Sequence, residues 1–212
     1  MNRDISSIRR DYLFEDLLEA DVPADPIPLF DAWLDKAIDS SQEDATAMVL
    51  STVDSLNHPH ARVVLLKQHS ASGFAFFTNY DSNKGVQLAA NNHACLTFFW
   101  PALSRQVRIE GRVVKLSRED SEHYFASRPK GSQLAASVSP QSRIIDRDTL
   151  QHSFNALQEQ YKDTDMVCPD HWGGYLLEAN YIEFWQGRPS RLHDRLSYQK
   201  QDDAWTLQRM AP

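Results

Sequence analysis

The sequence predicts an α+β protein, a mainly antiparallel, barrel-like sheet with peripheral helices, and three observations carry that expectation. Apolar, strand-like runs recur between turn-forming residues along most of the chain. Helical spacing of apolar residues is confined to a few segments. Strands and helices do not follow the regular β-α-β alternation that a doubly wound sheet requires. The 212 residues, 42% of them hydrophobic, suffice for one substantial core, and ten Phe, seven Tyr and five Trp suit strands.

In chain order, residues 1–27 are polar and charged and end in Asp21-Val22-Pro23-Ala24-Asp25-Pro26, which reads as an arm or lid. The remainder, 28–212, is expected to be a single domain. Leu29, Phe30, Trp33, Leu34 and Ala37 have helical spacing over 28–38, with Pro28 in the first turn. Strand-like runs cover 47–53, 61–68 and 74–79, separated by turns at Asn57-His58-Pro59 and Ser72-Gly73. A short helix over 82–91 precedes strands at 94–100 and 106–116, where Gly111 marks a bulge or bend. Ser117, followed by Glu119 and Asp120, starts a helix that Pro129 ends near Arg128. Another helix begins around Gly131-Ser132, a further one covers 146–161, and four strand candidates follow Trp172-Gly173-Gly174. About nine strands result.

Composition excludes several functions. No apolar run is long enough to span a bilayer, and residues 1–10 lack the apolar centre of a secretory signal. Cys95 and Cys168 are too far apart for a zinc ribbon or a Cys-x-x-Cys redox pair, so both are expected to be reduced, in keeping with the cytoplasm. A net charge of −7 disfavours non-specific nucleic-acid binding and makes local basic clusters informative, since such clusters suit phosphorylated small molecules. There is no Gly-x-Gly-x-x-Gly, no P-loop, no Gly-x-Ser-x-Gly and no His-Glu-x-x-His. His58 and His60 flank Pro59 in a turn, and no metal site is expected.

Four basic segments remain. In an extended strand Arg191, His193 and Arg195 share one face, suited either to an anionic ligand or to solvent. Arg128-Pro129-Lys130-Gly131-Ser132 joins a helix stop to a helix start, where Arg128, the Ser132 hydroxyl and exposed amides can converge on a phosphate, with Tyr124 one turn earlier. Arg62 and Lys67 bracket the apolar Val63-Val64-Leu65-Leu66. Their offset of five places them on opposite faces of a regular strand, so they serve one pocket only if the strand ends or bulges near Lys67. Thr78-Asn79-Tyr80-Asp81-Ser82-Asn83-Lys84 runs from a strand end to a helix start, another phosphate cradle.

Taken in order, these segments resemble the pyridoxamine 5′-phosphate oxidase family. The matching words include Pro23-Ala24-Asp25-Pro26, Arg62 to Lys67, Phe77-Thr78-Asn79, Arg105-Gln106-Val107, Tyr124-Phe125-Ala126-Ser127-Arg128-Pro129, Gln141-Ser142, Phe184-Trp185-Gln186-Gly187 and Arg191 to Arg195. The resemblance implies an FMN-binding split β-barrel homodimer with flavin sites shared between chains. It implies oxidation of pyridoxamine and pyridoxine 5′-phosphates to pyridoxal 5′-phosphate by hydride transfer to the flavin, dioxygen being reduced to peroxide. It places Arg62, Asn83 and Lys84 at the FMN phosphate end, with Val63, Val64, Leu65, Leu66 and Lys67 along the same cofactor segment. Phe77, Thr78, Gln106, Gln141, Ser142, Trp185 and Arg195 complete the cofactor set. It gives the substrate phosphate to Lys67, Tyr124, Arg128 and Ser132, the pyridine ring to Arg191 and His193 as catalytic pair, and a covering role to Arg9 and Tyr12.

Three departures from the family pattern stand out. Asn83 replaces a common Arg, Leu13-Phe14-Glu15-Asp16 replaces a glycine-containing stretch, and Leu18-Glu19-Ala20 replaces a basic run. Two other readings are a split-barrel flavin reductase of different substrate and a non-catalytic flavin- or pyridoxal-phosphate-binding protein. Peroxide release on addition of pyridoxamine phosphate separates them.

Overall fold

The structure, a computed structural model, describes residues 4, 6, 16–40, 43–202 and 204–212. The elements are α1 (Pro26–Asp39), β1 (Ala47–Val53), β2 (Pro59–Leu65), β3 (Gln68–Ser70), β4 (Gly73–Asn79), α2 (Asn83–Ala90), β5 (His93–Trp100), β6 (Arg105–Lys115), α3 (Arg118–Ser127), α4 (Lys130–Val138), α5 (Arg147–Gln160), β7 (Trp172–Gln186), β8 (Asp194–Gln201) and β9 (Ala204–Arg209). Strands follow the order β2-β1-β5-β6-β7-β4-β3, with β8 paired to β7 and β9 to β8. The pairs β3–β4, β4–β7, β7–β8 and β8–β9 are antiparallel. No described helix is long and apolar enough to cross a membrane.

The expected strands are present within a few residues, but their distribution differs. Three strands rather than four follow Trp172, because β7 runs unbroken for 15 residues through the polar Glu178 and Asn180. Gly111 on β6 explains how that stretch is held: a Cβ there would run into the Glu178 carbonyl oxygen, so only glycine permits the approach. The additional strand is β3, three residues long, whose Gln68 pairs with Ala75.

By compactness the chain divides into two units, residues 1–48, 96–110 and 180–212 in the first, 49–95 and 111–179 in the second. In the first unit, Asp25 caps α1 by accepting from the Ile27 amide at 2.9 Å, and Pro26 and Pro28 occupy its first turn, where a missing amide proton costs nothing. The buried stripe Leu29, Phe30, Trp33, Leu34 and Ala37 meets strand residues: Phe30 lies edge-on to Phe98 at 5.3 Å and Trp33 to Phe184 at 5.2 Å. Residues preceding α1 are tied to the C-terminal strands, since Tyr198 donates to the Pro23 carbonyl and Arg209 to the Glu19 carboxylate and the Leu17 carbonyl.

Also in this unit, the buried Glu183 accepts from Arg195 through both carboxylate oxygens (2.9 and 3.0 Å), from Arg108 at 3.1 Å and from Tyr181 at 2.8 Å. Burial alone would raise its pKa, but the bonds from Arg195 and Tyr181 and the Arg108 charge outweigh it and hold Glu183 below the ordinary value.

The second unit is built on β4, buried at nearly every position, paired with β7 from Phe74↔Leu177 to Asn79↔Trp172. Helices α2, α3 and α5 begin at Ser82, Ser117 and Asp146, whose side chains accept from the amides of Gly85, Asp120 and Thr149.

Candidate active site

One end of the candidate site is made by Arg62 on β2 and Lys84 on α2. β4 ends at Asn79, whose side chain accepts from the Asp81 amide at 2.7 Å while Ser82 donates to its carbonyl at 2.7 Å. This turn starts α2 close to the strand and returns Lys84 toward it. Lys84 Nζ donates to Gln141 Oε1 at 2.9 Å, Thr78 Oγ1 at 3.1 Å and Ser82 Oγ at 3.3 Å. All three acceptors are neutral. Burial, followed by the Arg62 charge, pushes the Lys84 pKa down to about 8.

Gln141 reaches Lys84 from a loop in which Ser142 adopts a left-handed φ of 71°. That conformation costs a non-glycine residue ~1 kcal/mol or more, and the bonds Gln141 N–H to Ser139 O and Arg143 N–H to Pro140 O hold it. Arg143 extends its guanidinium to the Asp81 carbonyl at 3.1 Å and to Asn83 Oδ1 at 3.5 Å. The neutral Asn83 thus has an arginine beside it, contributed by a different loop.

The other end is made by α3 and α4. Pro129 forces Arg128 into extended backbone (φ −75°, ψ 150°) and ends α3, while Gln133 braces the turn by donating to the Ala126 and Arg128 carbonyls. The Arg128 guanidinium lies 4.7 Å from the Trp172 ring centroid. Its Nη1 is enclosed and has no hydrogen-bond acceptor among the described residues. Tyr124 stacks on Phe77 at 3.9 Å and runs nearly parallel to Trp172, so three nearly parallel rings cluster at this end. Burial raises the Tyr124 pKa, with Arg128 offsetting part of the shift, and the group is a neutral phenol at pH 7.

Both ends open into one cavity of about 910 Å³, near the upper end of the roughly 300–1,000 Å³ typical of small-molecule sites. Among the described residues Arg62, Lys67, Lys84 and Arg128 line it, and no carboxylate does. Arg62 and Lys67 share it because β2 stops at Leu65 and the chain turns, the Lys67 amide donating to the Ala75 carbonyl. Val63, Val64, Leu65, Phe77, Thr78 and Asn83 also line it, as do Tyr124, Ser132, Gln141 and Ser142. Leu66 does not, being buried in the core at 4% exposure.

Gln106, Trp185, Arg191, His193 and Arg195 belong to the other compact unit, and Arg9 and Tyr12 lie outside the described residues. The expected strand alternation from Arg191 to Arg195 is corrected by the backbone. Pro189–Arg191 is a 3-10 turn with Ser190 and Arg191 at φ 57° and 62°, and β8 begins only at Asp194. Pro189 and the left-handed pair break the strand, so spacing by two no longer fixes a common face. His193 lies tilted against Trp185, ring centroids 4.6 Å apart, and its Nδ1 accepts from the Arg188 amide at 3.0 Å, so the neutral imidazole carries its proton on Nε2. Burial and then the nearby Arg191 lower the His193 pKa, which keeps the ring neutral at pH 7.

Sequence reasoning missed Trp172, which lies nearly parallel to Phe77 and Tyr124, Thr52 and Gln87, which reach Arg62 only through tertiary contacts, and Arg143, which reaches Asn83 in the same way.

Comparison with known proteins decides the family. The profile described as pyridoxamine 5′-phosphate oxidase matches residues 34–161, more than half of the chain. The chain belongs to the pyridoxamine 5′-phosphate oxidase family. A second profile of this family, the pyridoxine 5′-phosphate oxidase C-terminal dimerisation region, matches residues 172–212. Among curated family members, the pyridoxine/pyridoxamine 5′-phosphate oxidases of Pseudomonas fluorescens (strain SBW25) and Pseudomonas savastanoi pv. phaseolicola are each 52% identical over 215 residues, covering all of both chains. Among solved structures, PhzG from Burkholderia lata 383, crystallised with tetrahydrophenazine-1-carboxylic acid, aligns with a TM-score of 0.88 at 27% identity, over 93% of this chain and 98% of that one. An FMN-binding, pyridoxamine 5′-phosphate oxidase-related protein from Nostoc punctiforme shares the fold, with a TM-score of 0.72 at 15% identity, over 89% of this chain and 98% of that one. The fold is accordingly the FMN-binding split barrel of this family.

Proposed function

We propose that the protein uses FMN to oxidise pyridoxamine 5′-phosphate and pyridoxine 5′-phosphate to pyridoxal 5′-phosphate. The observation that carries this reading is a cavity lined, among the described residues, by four cations and no carboxylate in a protein of net charge −7, with one arginine nitrogen enclosed and without an acceptor among those residues. Lys84 is buried and Arg62 and Arg128 are half-buried, and cations so placed without a carboxylate beside them among the described residues call for an anionic ligand; two clusters at separate ends suit two phosphate esters. The full-length 52% identity to oxidases of that name supports the same substrates.

The residues present fit FMN. Arg62 and Lys84 would hold its phosphate, while Thr78, Gln141 and Ser142 supply neutral hydrogen-bonding groups beside it. When bound, FMN would supply a two-electron acceptor for a hydride equivalent from the substrate and would be reoxidised by dioxygen, which with a second proton, released from the substrate's amine or alcohol, gives hydrogen peroxide. The protein's part is binding and orientation. Arg128, Ser132, Lys67 and the Tyr124 phenol would hold the substrate phosphate, charge-assisted at Arg128 and Lys67. Arg191 and His193 would steady the pyridine ring, His193 as a neutral Nε2–H donor. With pyridoxamine phosphate, water then releases ammonia and leaves the aldehyde; pyridoxine phosphate yields the aldehyde directly.

The dimerisation region supports a homodimer, which sedimentation of the FMN-loaded protein tests: a monomer at micromolar concentration contradicts it, and with it the sharing of sites between chains that the family resemblance implies. The reaction is tested by adding pyridoxamine 5′-phosphate to the FMN-loaded protein in air. Equal amounts of pyridoxal phosphate and peroxide are expected, and bound flavin that turns over neither vitamer refutes the assignment.

A further inference from the structure

Two buried polar side chains that do not line the cavity converge on one that does. Thr52 on β1 is 1% exposed and Gln87 on α2 is 7% exposed. The Thr52 hydroxyl donates to Gln87 Oε1 at 2.6 Å and accepts from Arg62 Nη1 at 2.6 Å. Gln87 Oε1 also accepts from Arg62 Nη2 at 3.1 Å, and the Leu50 carbonyl takes the other Nη1 proton at 3.1 Å. Thr52 and Gln87 therefore span the two terminal nitrogens of the guanidinium, one oxygen to each. Of the five protons that an arginine donates, the one on Nε and one on Nη2 are left, and these lie along a single edge suited to two oxygens of one phosphate. Gln87 sits one turn after Lys84 on the same helix, so α2 presents one cation directly and aims the other.

We infer that Thr52 and Gln87 are positioning residues that clamp Arg62 by its terminal nitrogens and turn its Nε edge toward the ligand's phosphate. The inference rests on the reading that Arg62 meets the FMN phosphate. Without the clamp, the guanidinium is held only at Nη1, by the Leu50 carbonyl at 3.1 Å and the His60 carbonyl at 3.5 Å, and its fork meets the phosphate only part of the time. Both clamp residues are neutral, so the full charge of Arg62 remains available to the ligand. A carboxylate in either place would consume it.

Titration of flavin-free full-length protein with FMN and, separately, with riboflavin, which lacks the phosphate, tests this through quenching of flavin fluorescence. Thr52→Val keeps the shape and removes the oxygen, Gln87→Met keeps the length and removes the acceptor, and Thr52→Ser restores the hydroxyl. Thr52→Val and Gln87→Met are expected to weaken FMN about tenfold while riboflavin stays within about twofold, and Thr52→Ser is expected to recover FMN affinity. Each variant's thermal midpoint is measured alongside, so that a folding defect registers as loss of both flavins. Equal losses for FMN and riboflavin, or an unchanged FMN affinity in both folded variants, overturn the clamp. Wild-type protein that does not distinguish FMN from riboflavin overturns the phosphate reading of Arg62 itself, and the clamp with it.

Discussion

At the scale of single residues, the site's chemistry is decided by charges that lack opposite partners. Lys84 is held at a pKa of about 8 by burial and by Arg62, against an ordinary value of 10.5. A phosphate beside it favours the ammonium form, so FMN binding takes up a proton above pH 8, and affinity is expected to fall as pH rises from 8 toward 10. The apoprotein shows the opposite trend: its unfolded chain binds more protons between pH 8 and 10.5, so this group makes the fold more stable as pH rises through that window. Isothermal titration in two buffers of different ionisation enthalpy reads the proton uptake directly. Arg128→Ala is expected to raise KM for pyridoxamine phosphate about 10- to 100-fold with little change in kcat, as the loss of a charged donor worth ~1.5–3 kcal/mol. The sequence identified Arg62, Lys67, Lys84 and Arg128 as cations in promising settings, Arg62 and Lys67 because they bracket an apolar run and Lys84 and Arg128 because each sits near a helix end. It did not disclose that Arg62 and Lys67 share a cavity, which depends on β2 stopping at Leu65, nor the backbone turn at Ser190 and Arg191.

At the scale of elements, start and stop signals were the most legible part of the chain. Ser117, Pro129 and Asp146 bound their helices where capping chemistry and the missing proline amide require. Strand continuity was less legible, since the polar middle of β7 reads as a break and is sustained by contact with β6 at Gly111. Two glycine substitutions test that contrast. Gly111→Ala drives a methyl into the Glu178 carbonyl and is expected to destabilise by about 1–3 kcal/mol, read as a lower denaturant midpoint. Gly131→Ala meets nothing within 4 Å in the first turn of α4 and is expected to stabilise by about 0.5–1 kcal/mol.

At the scale of the whole molecule, a chain of net charge −7 gathers Arg62, Lys67, Lys84 and Arg128 around one cavity. Net charge and local basic segments were readable from composition, and the ordered set of motifs carried the family resemblance. The supporting contacts were not readable, because Thr52, Gln87, Arg143 and Trp172 come from segments that are brought to the site only by folding. Exposed charges of an acidic surface repel an approaching phosphate ester and are screened by salt, whereas enclosed cations are screened far less. The central claim, that one cavity grips two phosphate esters at its opposite ends, is tested most directly by anaerobic bleaching of the FMN-loaded protein. Pyridoxamine 5′-phosphate is expected to bleach the bound flavin at concentrations where pyridoxamine, the same ring without the ester, leaves the spectrum unchanged. Equal bleaching by the two compounds, or none by either, would contradict it.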